Sequence, residues 1–354
     1  MHRATRRDIH RLLVAGFGAC ALRSVGLSAA TQGADPLAFV LPELRPFARQ
    51  LMQIAASMPE MTNATLGPNR QTMSHWAQAP LAAPDWTKRV VPGLAGNPPV
   101  TVYVVNSTPN AKRPAILHTH GGGFVTGAAK DRLVDLQKLA LELDCTIVTV
   151  DYRLAPETTY RGSTNDTYAA LEWLHAEAAS LGVDPAKIAV MGESAGGGHA
   201  ALLALKARDV GKVPLVAQIL VYPMLDDRTG STTMPPPPIG SILWTATKNR
   251  FGWQSFLGQP PGTAQVPVAA VPARHRNLAG LPPTFIGVGA IDLFVDEDIA
   301  YARRLIAAGV PTQLEVVPGA FHGFDGVAAS TQVAKDFTAA KITMLRRAFA
   351  SVIT

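Results

Sequence analysis

The stretch Val190-Met191-Gly192-Glu193-Ser194-Ala195-Gly196-Gly197-Gly198 decides how the chain is expected to fold. It follows an apolar run, Lys187–Met191, that predicts a short buried strand, and it precedes a run of small and apolar residues, Ala200–Leu205, that predicts a helix. A Gly-x-Ser-x-Gly motif between a strand and a helix is typical of a nucleophile elbow, a sharp turn that exposes a serine hydroxyl. The motif is short enough to occur by chance, so a glycine-rich turn with an incidental serine is the alternative.

Strands and helices alternate on both sides of this motif. Near-continuous apolar strands separated by helices predict an α/β fold, a mostly parallel sheet with helices on both faces. We expect eight strands, with the first two antiparallel to the rest. The candidate strands are 88–91, 100–105, 112–118, 146–150, 187–191, 216–222, 284–289 and 313–317, and helices are expected around 131–143, 164–181, 296–308 and 331–350.

Two segments lie outside this alternation and are expected to form a helical cap. Residues 31–84 predict short helices, because apolar residues recur there at helical spacing between prolines. Residues 85–354 carry the sheet, with an insertion at about 226–262 that contains Pro235–Pro238. Loops of that length inside a compact domain are usually lids or binding elements. The insertion also contributes aromatic residues that are expected to line an apolar pocket, namely Trp244, Trp253 and Phe256.

The first 30 residues have the composition of an export signal. Five arginines and one aspartate give residues 1–30 a net charge of +4, out of +6 for the whole chain. The pair Arg6-Arg7 is followed by an apolar stretch, Leu12–Leu22, that is too short for a permanent membrane span, and then by Ser28-Ala29-Ala30. This order predicts a signal of the twin-arginine type and an exported, periplasmic or secreted protein. An amphipathic N-terminal helix of a cytoplasmic enzyme is the alternative.

The remainder of the chain does not indicate a nucleic acid, a metal or a cofactor as partner. Its net charge is only +2, and no cluster of lysine and arginine alternates with aromatic residues, so nucleic-acid binding is not expected. No ligand-type spacing of histidine, cysteine and carboxylate residues predicts a metal site. No Rossmann fingerprint or P-loop is present either. The expected partner is a small molecule, and the oligomeric state stays open, with a homodimer as one option.

An activated serine needs a base and a carboxylate that orients the base, and both have candidates at the ends of predicted strands. His322, in Gly319-Ala320-Phe321-His322-Gly323-Phe324, follows the last strand and is the expected base. Asp292 ends the seventh strand and is the expected orienting carboxylate. Asp296 is the reserve, because acidic residues that begin a helix commonly serve as caps. The order Ser194, Asp292, His322 is that of α/β-hydrolases and differs from the chymotrypsin and subtilisin orders.

An oxyanion hole is expected from His120-Gly121-Gly122-Gly123, which follows the third strand directly. Residues without side chains can turn backbone N–H groups towards a point beside Ser194. The expected donors are the N–H groups of Gly122, Gly123 and Ala195, and the alternative is a flexible glycine turn. Other histidines fit less well: His118 is expected in the core, His199 behind Ser194, and His75, His175 and His275 have no matching context.

Together these motifs resemble the hormone-sensitive-lipase-like branch of the α/β-hydrolases, and its bacterial carboxylesterases in particular. The resemblance covers roughly residues 85–350 and rests on His120–Gly123, Asp151–Glu157, Gly192–Gly197 and His322–Phe324. It implies an α/β-hydrolase fold with a helical cap made from the N-terminal helices and the insertion. It also implies a triad acid at the first aspartate of Asp292–Glu297 and a structural role for Asp151–Glu157.

The function that this resemblance implies is a serine carboxylesterase that hydrolyses short- to medium-chain carboxylic esters through an acyl-enzyme, with a small-molecule ester as substrate. A lactonase or amidase with the same triad, and a non-catalytic ligand-binding homologue, stay open, because fold and triad do not determine the leaving group. One departure from the family is Gly198-His199, where many relatives carry an asparagine. The expected site is Ser194, Asp292 and His322 with the oxyanion-hole donors Gly122, Gly123 and Ala195.

Overall fold

One eight-stranded sheet runs through the part of the chain that the structure, a computed structural model, describes: residues 35–74 and 78–350. The export signal predicted for residues 1–30 lies outside the described residues. The strands are β1 (Trp86–Val91), β2 (Val100–Val105), β3 (Arg113–Thr119), β4 (Thr146–Asp151), β5 (Val183–Glu193), β6 (Ala217–Val221), β7 (Thr284–Gly289) and β8 (Thr312–Val317). Their order across the sheet is β1-β2-β4-β3-β5-β6-β7-β8. The predicted strands and the α/β class are confirmed.

The sheet is parallel except around β2. All pairings among β3 to β8 are parallel, whereas β2 pairs antiparallel with both β1 and β4. β1 therefore runs in the same direction as β4, and the expectation that the first two strands both oppose the others is wrong for β1. The reason is the short connection over residues 92–99, which joins β1 and β2 as a hairpin and so reverses the chain between them.

Helices cover the sheet between the strands. The predicted helices 131–143, 296–308 and 331–350 are present, and the predicted helix 164–181 is divided in two at Glu177. Short 3₁₀ helices occur in addition, at Pro36–Phe39 and Pro42–Leu44 among other places. The α-helices of the described residues are α1 (Arg45–Ser57), α2 (Leu66–Ser74), α3 (Leu133–Leu143), α4 (Tyr160–Ala176), α5 (Ala178–Leu181), α6 (Ala195–Val210), α7 (Ala246–Leu257), α8 (Val295–Ala307), α9 (Phe324–Val327) and α10 (Gln332–Ala350).

Two clusters of buried apolar side chains lie on the two faces of the sheet. Successive residues of a strand point to opposite faces, so the central strands supply both clusters. Leu117, Val190 and Leu220 belong to the cluster that includes side chains of α4 and α6. Their neighbours Ile116, Ala189 and Ile219 belong to the cluster that includes side chains of α3 and α10. Burial on both faces explains why these strands are apolar throughout.

Arg70 connects the N-terminal helix α2 to the sheet domain. Both Nη atoms of Arg70, in α2, bind the carboxylate of Glu157, at 2.6 and 2.8 Å. Its Nε donates to the carbonyl oxygen of Val125 at 2.7 Å, and Nη2 also donates to that of Ala155 at 3.0 Å. Glu157 thus has a structural contact near the loop that follows β3. No helix of the described ranges is both long and apolar enough to cross a bilayer.

Candidate active site

Ser194 lies in the tight turn between β5 and α6, with φ 57° and ψ −123°. A side-chain-bearing residue rarely adopts a positive φ, and such strain is commonly found at functional sites. The turn is closely packed around it. A Cβ added to Gly192 would lie 2.3 Å from the carbonyl oxygen of Gly196, and one added to Gly196 would lie 2.0 Å from that of Thr119. The two motif glycines are therefore required by the close approach of strand and helix.

The side chains of His322 and Asp292 reach Ser194 in a hydrogen-bonded line. Nε2 of His322 lies 3.0 Å from Oγ of Ser194, and Nδ1 lies 2.8 Å from Oδ2 of Asp292. All three residues are buried, with at most 5% of their surface exposed. In this arrangement the imidazole can accept the hydroxyl proton while the carboxylate holds the proton on the other ring nitrogen. The structure thus brings together the three residues that the sequence predicts as catalytic.

The choice between the two candidate carboxylates follows from where each one lies. The second oxygen of Asp292, Oδ1, accepts a hydrogen bond from the N–H of Phe294 at 3.0 Å, so its orientation towards His322 is fixed from both sides. Asp296 lies in the first turn of α8 with an exposed side chain and makes no hydrogen bond to His322. Asp292 therefore has the geometry of an orienting carboxylate, and the reserve candidate does not.

The loop after β3 adopts a conformation that favours glycine. Gly122 and Gly123 have φ values of +124° and +60°. The carbonyl oxygen of Gly122 accepts hydrogen bonds from the N–H of Val125 at 3.1 Å and from the N–H and Oγ1 of Thr126, each at 2.9 Å. A Cβ on Gly122 would lie 2.1 Å from the carbonyl oxygen of Thr126. The loop is therefore pinned in place and is not a flexible glycine turn.

The same loop presents unused donors next to Ser194. A Cβ added to Gly121 would lie 3.3 Å from Cβ of Ser194, so the loop lies against the elbow. Within the described part of the chain, the N–H groups of Gly122, Gly123 and Ala195 donate no hydrogen bond. Ala195 is also the first residue of α6, where the helix dipole favours negative charge. Gly122 and Gly123 follow Gly121 in this loop, and Ala195 follows the serine directly; free N–H groups at such positions can stabilise an oxyanion.

Aromatic rings enclose the imidazole of His322. The ring of Tyr222 lies 4.8 Å away and that of Phe294 5.2 Å away, both edge-on, and the indole of Trp244 lies 6.4 Å away. Tyr222 has a positive φ of 34°, and its hydroxyl donates to Oδ1 of Asp325 at 2.7 Å. These contacts hold the ring plane in place. No motif of the sequence marks Tyr222 as part of the site.

A second acid–histidine pair, also not identified from the sequence, lies beside the elbow. Oε2 of Glu193 lies 2.9 Å from Nε2 of His118, whose Nδ1 lies 2.8 Å from Oγ1 of Thr149. Burial raises the pKa of Glu193, but the interaction with His118, together with the charges of Arg132 and Lys341, outweighs burial, and the net pKa lies well below its ordinary value. The sequence does contain a signal for this pair, because the carboxylate of Glu193 at a buried elbow position requires a partner.

Two further histidines are buried behind Ser194 as neutral rings. His199 packs edge-on against Phe124, and neither of its ring nitrogens has a hydrogen-bond partner among the described residues. Burial, with a contribution from His120, lowers the pKa of His199 to about 3. Burial also lowers the pKa of His120, which stacks on Tyr152 at 4.2 Å, to about 4. Within the described ranges no three histidine, cysteine or carboxylate side chains form a group that could hold a metal ion.

Comparisons with known proteins agree with this fold. The family model for the alpha/beta hydrolase fold matches residues 116–326. Esterase LipI of Mycobacterium tuberculosis is 36% identical over 261 residues, 72% of this chain and 80% of the relative. Carboxylesterase NlhH of the same species is 36% identical over 244 residues, 66% of this chain and 74% of the relative. Among solved structures, a bacterial heroin esterase has a TM-score of 0.80 at 37% identity and covers 90% of this chain and 100% of that one.

The chain therefore belongs to the α/β-hydrolase family, and the resemblance of its motifs to the hormone-sensitive-lipase-like branch is confirmed.

Proposed function

We propose that the protein is a serine carboxylesterase with Ser194 as its nucleophile, His322 as the base and Asp292 as the orienting carboxylate. The observation that carries the proposal is the line of hydrogen bonds from Ser194 Oγ through His322 to Asp292, starting at a strained turn. The names of the relatives, an esterase and a carboxylesterase, support ester hydrolysis. A non-catalytic homologue would not need to keep all three side chains in contact.

The reaction proceeds in two acyl-transfer steps. His322 Nε2 accepts the proton of Ser194 Oγ as the oxygen attacks the ester carbonyl carbon. The N–H groups of Gly122, Gly123 and Ala195 stabilise the oxyanion that forms. The imidazolium then gives its proton to the departing alkoxide, which leaves the acyl group on Ser194. Water, deprotonated by His322, attacks this acyl-enzyme, and the imidazolium returns the proton to Ser194 Oγ as the carboxylic acid is released. Losing one oxyanion donor typically costs about 3–4 kcal/mol of transition-state stabilisation.

Replacement of the nucleophile tests this proposal. Ser194→Ala is expected to abolish hydrolysis of p-nitrophenyl acetate while circular dichroism and thermal unfolding stay as in the wild type, because the triad acts as a unit. Ser180→Ala, at an exposed serine of α5, is the matched control and should keep full activity. Amides and lactones assayed in parallel should react more slowly than esters. A folded Ser194→Ala protein with full activity would contradict the assignment.

Residues 31–84 and the insertion at 226–262 form the cap of the catalytic domain, 85–354, in this proposal. Arg70 of α2 and Trp244 of the insertion support it, since both contact the loop after β3. A cap of short helices covers a bounded pocket, so we expect short- to medium-chain esters as substrates. Soluble short-chain esters should react faster than emulsified long-chain triglycerides. A rate that jumps when a substrate passes its solubility limit would contradict this.

Export is the remaining part of the proposal, and the order of arginine pair, apolar stretch and small residues in 1–30 supports it. Fusing this segment to a folded reporter in a bacterium with a twin-arginine translocase should send the reporter to the periplasm. Replacement of both Arg6 and Arg7 by lysine should retain the reporter in the cytoplasm. Cytoplasmic retention of the unaltered fusion would contradict a twin-arginine signal.

A further inference from the structure

The three aromatic residues that the sequence predicts as one apolar lining lie in different places. Trp253 and Phe256, both in α7, pack against the ring of Phe124 with centroids 5.1 and 3.9 Å away. Trp253 makes no ring contact with His322. Trp244, which precedes α7, instead lies between the oxyanion-hole loop and the imidazole. The cap insertion therefore sends a single indole to the reaction centre.

Two measurements locate this indole. A Cβ added to Gly123 would lie 2.1 Å from Cη2 of Trp244, so the ring edge is in van der Waals contact with the glycine backbone. The indole centroid lies 6.4 Å from the imidazole centroid of His322, with the planes tilted by 37°. Trp244 is thus a neighbour both of a proposed oxyanion donor and of the group that must protonate the departing alkoxide.

The indole is held rigidly in this position. Its Nε1 donates to Oδ1 of Asn249 at 3.0 Å, and Nδ2 of Asn249, a fully buried residue, donates to the carbonyl oxygen of Thr229 at 2.7 Å. The preceding residue, Leu243, has a φ of +64°, which is strained for a side chain of this size. Nζ of Lys248 donates to the carbonyl oxygen of Leu243 at 2.8 Å and holds this turn. Backbone strain that is maintained by several contacts points to a functional requirement.

We infer that Trp244 is a specificity-determining residue that limits the size of the alcohol portion of the ester, an inference that rests on the proposed function. In the tetrahedral intermediate the oxyanion faces the N–H of Gly123, the leaving oxygen faces Nε2 of His322, and the acyl chain extends in the remaining direction. A ring in contact with Gly123 and adjacent to His322 lies beside the leaving group. Because the indole is fixed, a bulky alcohol cannot displace it.

Two substrate series test this inference on the 354-residue chain. One series holds the acyl group constant: ethyl, isopropyl, cyclohexyl and benzyl acetate. The other holds the alcohol constant: ethyl acetate, butyrate, hexanoate and octanoate. The variants are Trp244→Ala and Trp244→Phe, with Trp253→Phe as the matched control because it makes the same substitution at an indole whose ring contacts are with Phe124 and Phe256 and not with His322. The kcat/KM value of each ester is measured by acid release.

Trp244→Ala should raise the ratio of kcat/KM for cyclohexyl acetate over ethyl acetate by about tenfold or more, the usual effect of resizing an apolar pocket. Trp244→Phe should shift the ratio in the same direction by less, and it decides the test if the alanine variant does not fold. Trp253→Phe should leave both series unchanged.

An unchanged alcohol series in a folded, active Trp244 variant, or a shift in the acyl series instead, would overturn the inference while leaving the esterase proposal intact. If the wild type hydrolyses none of these esters, the esterase proposal itself fails.

Discussion

Two histidine–carboxylate pairs flank Ser194, and their geometries are nearly the same. His322 lies 2.8 Å from Asp292, and His118 lies 2.9 Å from Glu193, the residue that directly precedes the serine. All four residues are buried. The pairs differ in what the second ring nitrogen contacts: Nε2 of His322 lies 3.0 Å from Oγ of Ser194, whereas Nδ1 of His118 lies 2.8 Å from a hydroxyl on the neighbouring strand β4.

This difference shows that a buried histidine–carboxylate pair does not by itself indicate catalysis. The pair on β3 and β5 joins two strands through side chains and provides a partner for a carboxylate that the elbow buries. In the pair on the loops after β7 and β8, the second imidazole nitrogen contacts the hydroxyl of Ser194, a residue that lies against the loop with free N–H donors. The third partner, together with the surrounding backbone donors, separates the proposed catalytic pair from the structural one.

The largest expected effect comes from neutralising each carboxylate in turn. Asp292→Asn should lower kcat by about ten-thousand-fold, because an asparagine favours the wrong imidazole tautomer. Glu193→Gln should leave most of the turnover and instead lower the free energy of unfolding by about 1–3 kcal/mol, since a buried charge-assisted hydrogen bond is weakened. Asp296→Asn, at an exposed position of α8, is the control and should change neither quantity. Equal losses of kcat in Asp292→Asn and Glu193→Gln would remove the distinction between the two pairs.

A smaller effect on kcat is expected at the contact between the cap insertion and the oxyanion-hole loop. A Cβ on Gly252 of α7 would lie 2.6 Å from the carbonyl oxygen of Gly123, so Gly252→Ala should push the helix and the loop apart. Displaced donors should lower kcat by roughly 10- to 100-fold, with a smaller change in KM. The matched control is Gly326→Ala in α9, where an added Cβ meets no atom within 4 Å. Loss of activity in both variants, or in neither, would contradict the proposed contact.

The smallest effect concerns His199, which is buried behind the serine, and it is measured as a change in the free energy of unfolding. The pKa of His199 is lowered from 6.5 to about 3 in the folded protein, so only the unfolded chain takes up this proton between those values. The neutral histidine therefore does not reduce the free energy of unfolding well above pH 6.5. Below that pH the free energy of unfolding decreases, by about 2 kcal/mol at pH 5 from this residue alone. His199→Asn should lose about 2 kcal/mol less than the wild type between pH 7.5 and 5 in denaturant titrations. Identical pH dependence in the two proteins would show that His199 is not buried as a neutral ring.

Local patterns were sufficient to predict much of the fold and the proposed triad. Runs of strand length marked all eight strands, apolar in the centre of the sheet and mixed in the mostly exposed edge strand β1. Parallel strands place the residues at their carboxyl ends on one edge of the sheet. Asp292 and His322 follow two such strands, which is why their meeting with Ser194 could be expected from topology alone. The oxyanion-hole loop was predictable for the same reason, since it follows β3 directly.

Most features that were not predicted depend on contacts between distant parts of the chain, and the direction of β1, which depends on a local connection, is the exception. The direction of β1 depends on the hairpin that joins it to β2, and no periodicity within either strand encodes it. Glu193 and His118 lie on neighbouring strands but are 75 residues apart in sequence. Similarly, Trp244 and Trp253 are both tryptophans of the insertion and cannot be told apart by residue type. The turn at Leu243 is what places Trp244 at the reaction centre. Nothing in the sequence distinguishes Arg70 from the other arginines, because its role depends on the position of α2 beside Glu157.

The most direct test of the central claim is covalent labelling of the serine that His322 contacts. Diisopropyl fluorophosphate should form one bond from phosphorus to Ser194 Oγ with release of fluoride, and the loss of ester hydrolysis should follow the labelled fraction measured by intact mass. Peptide mapping should place the single adduct on Ser194, and Ser194→Ala should remain unlabelled. An adduct on a different serine, or complete inactivation while Ser194 stays unmodified, would contradict the account.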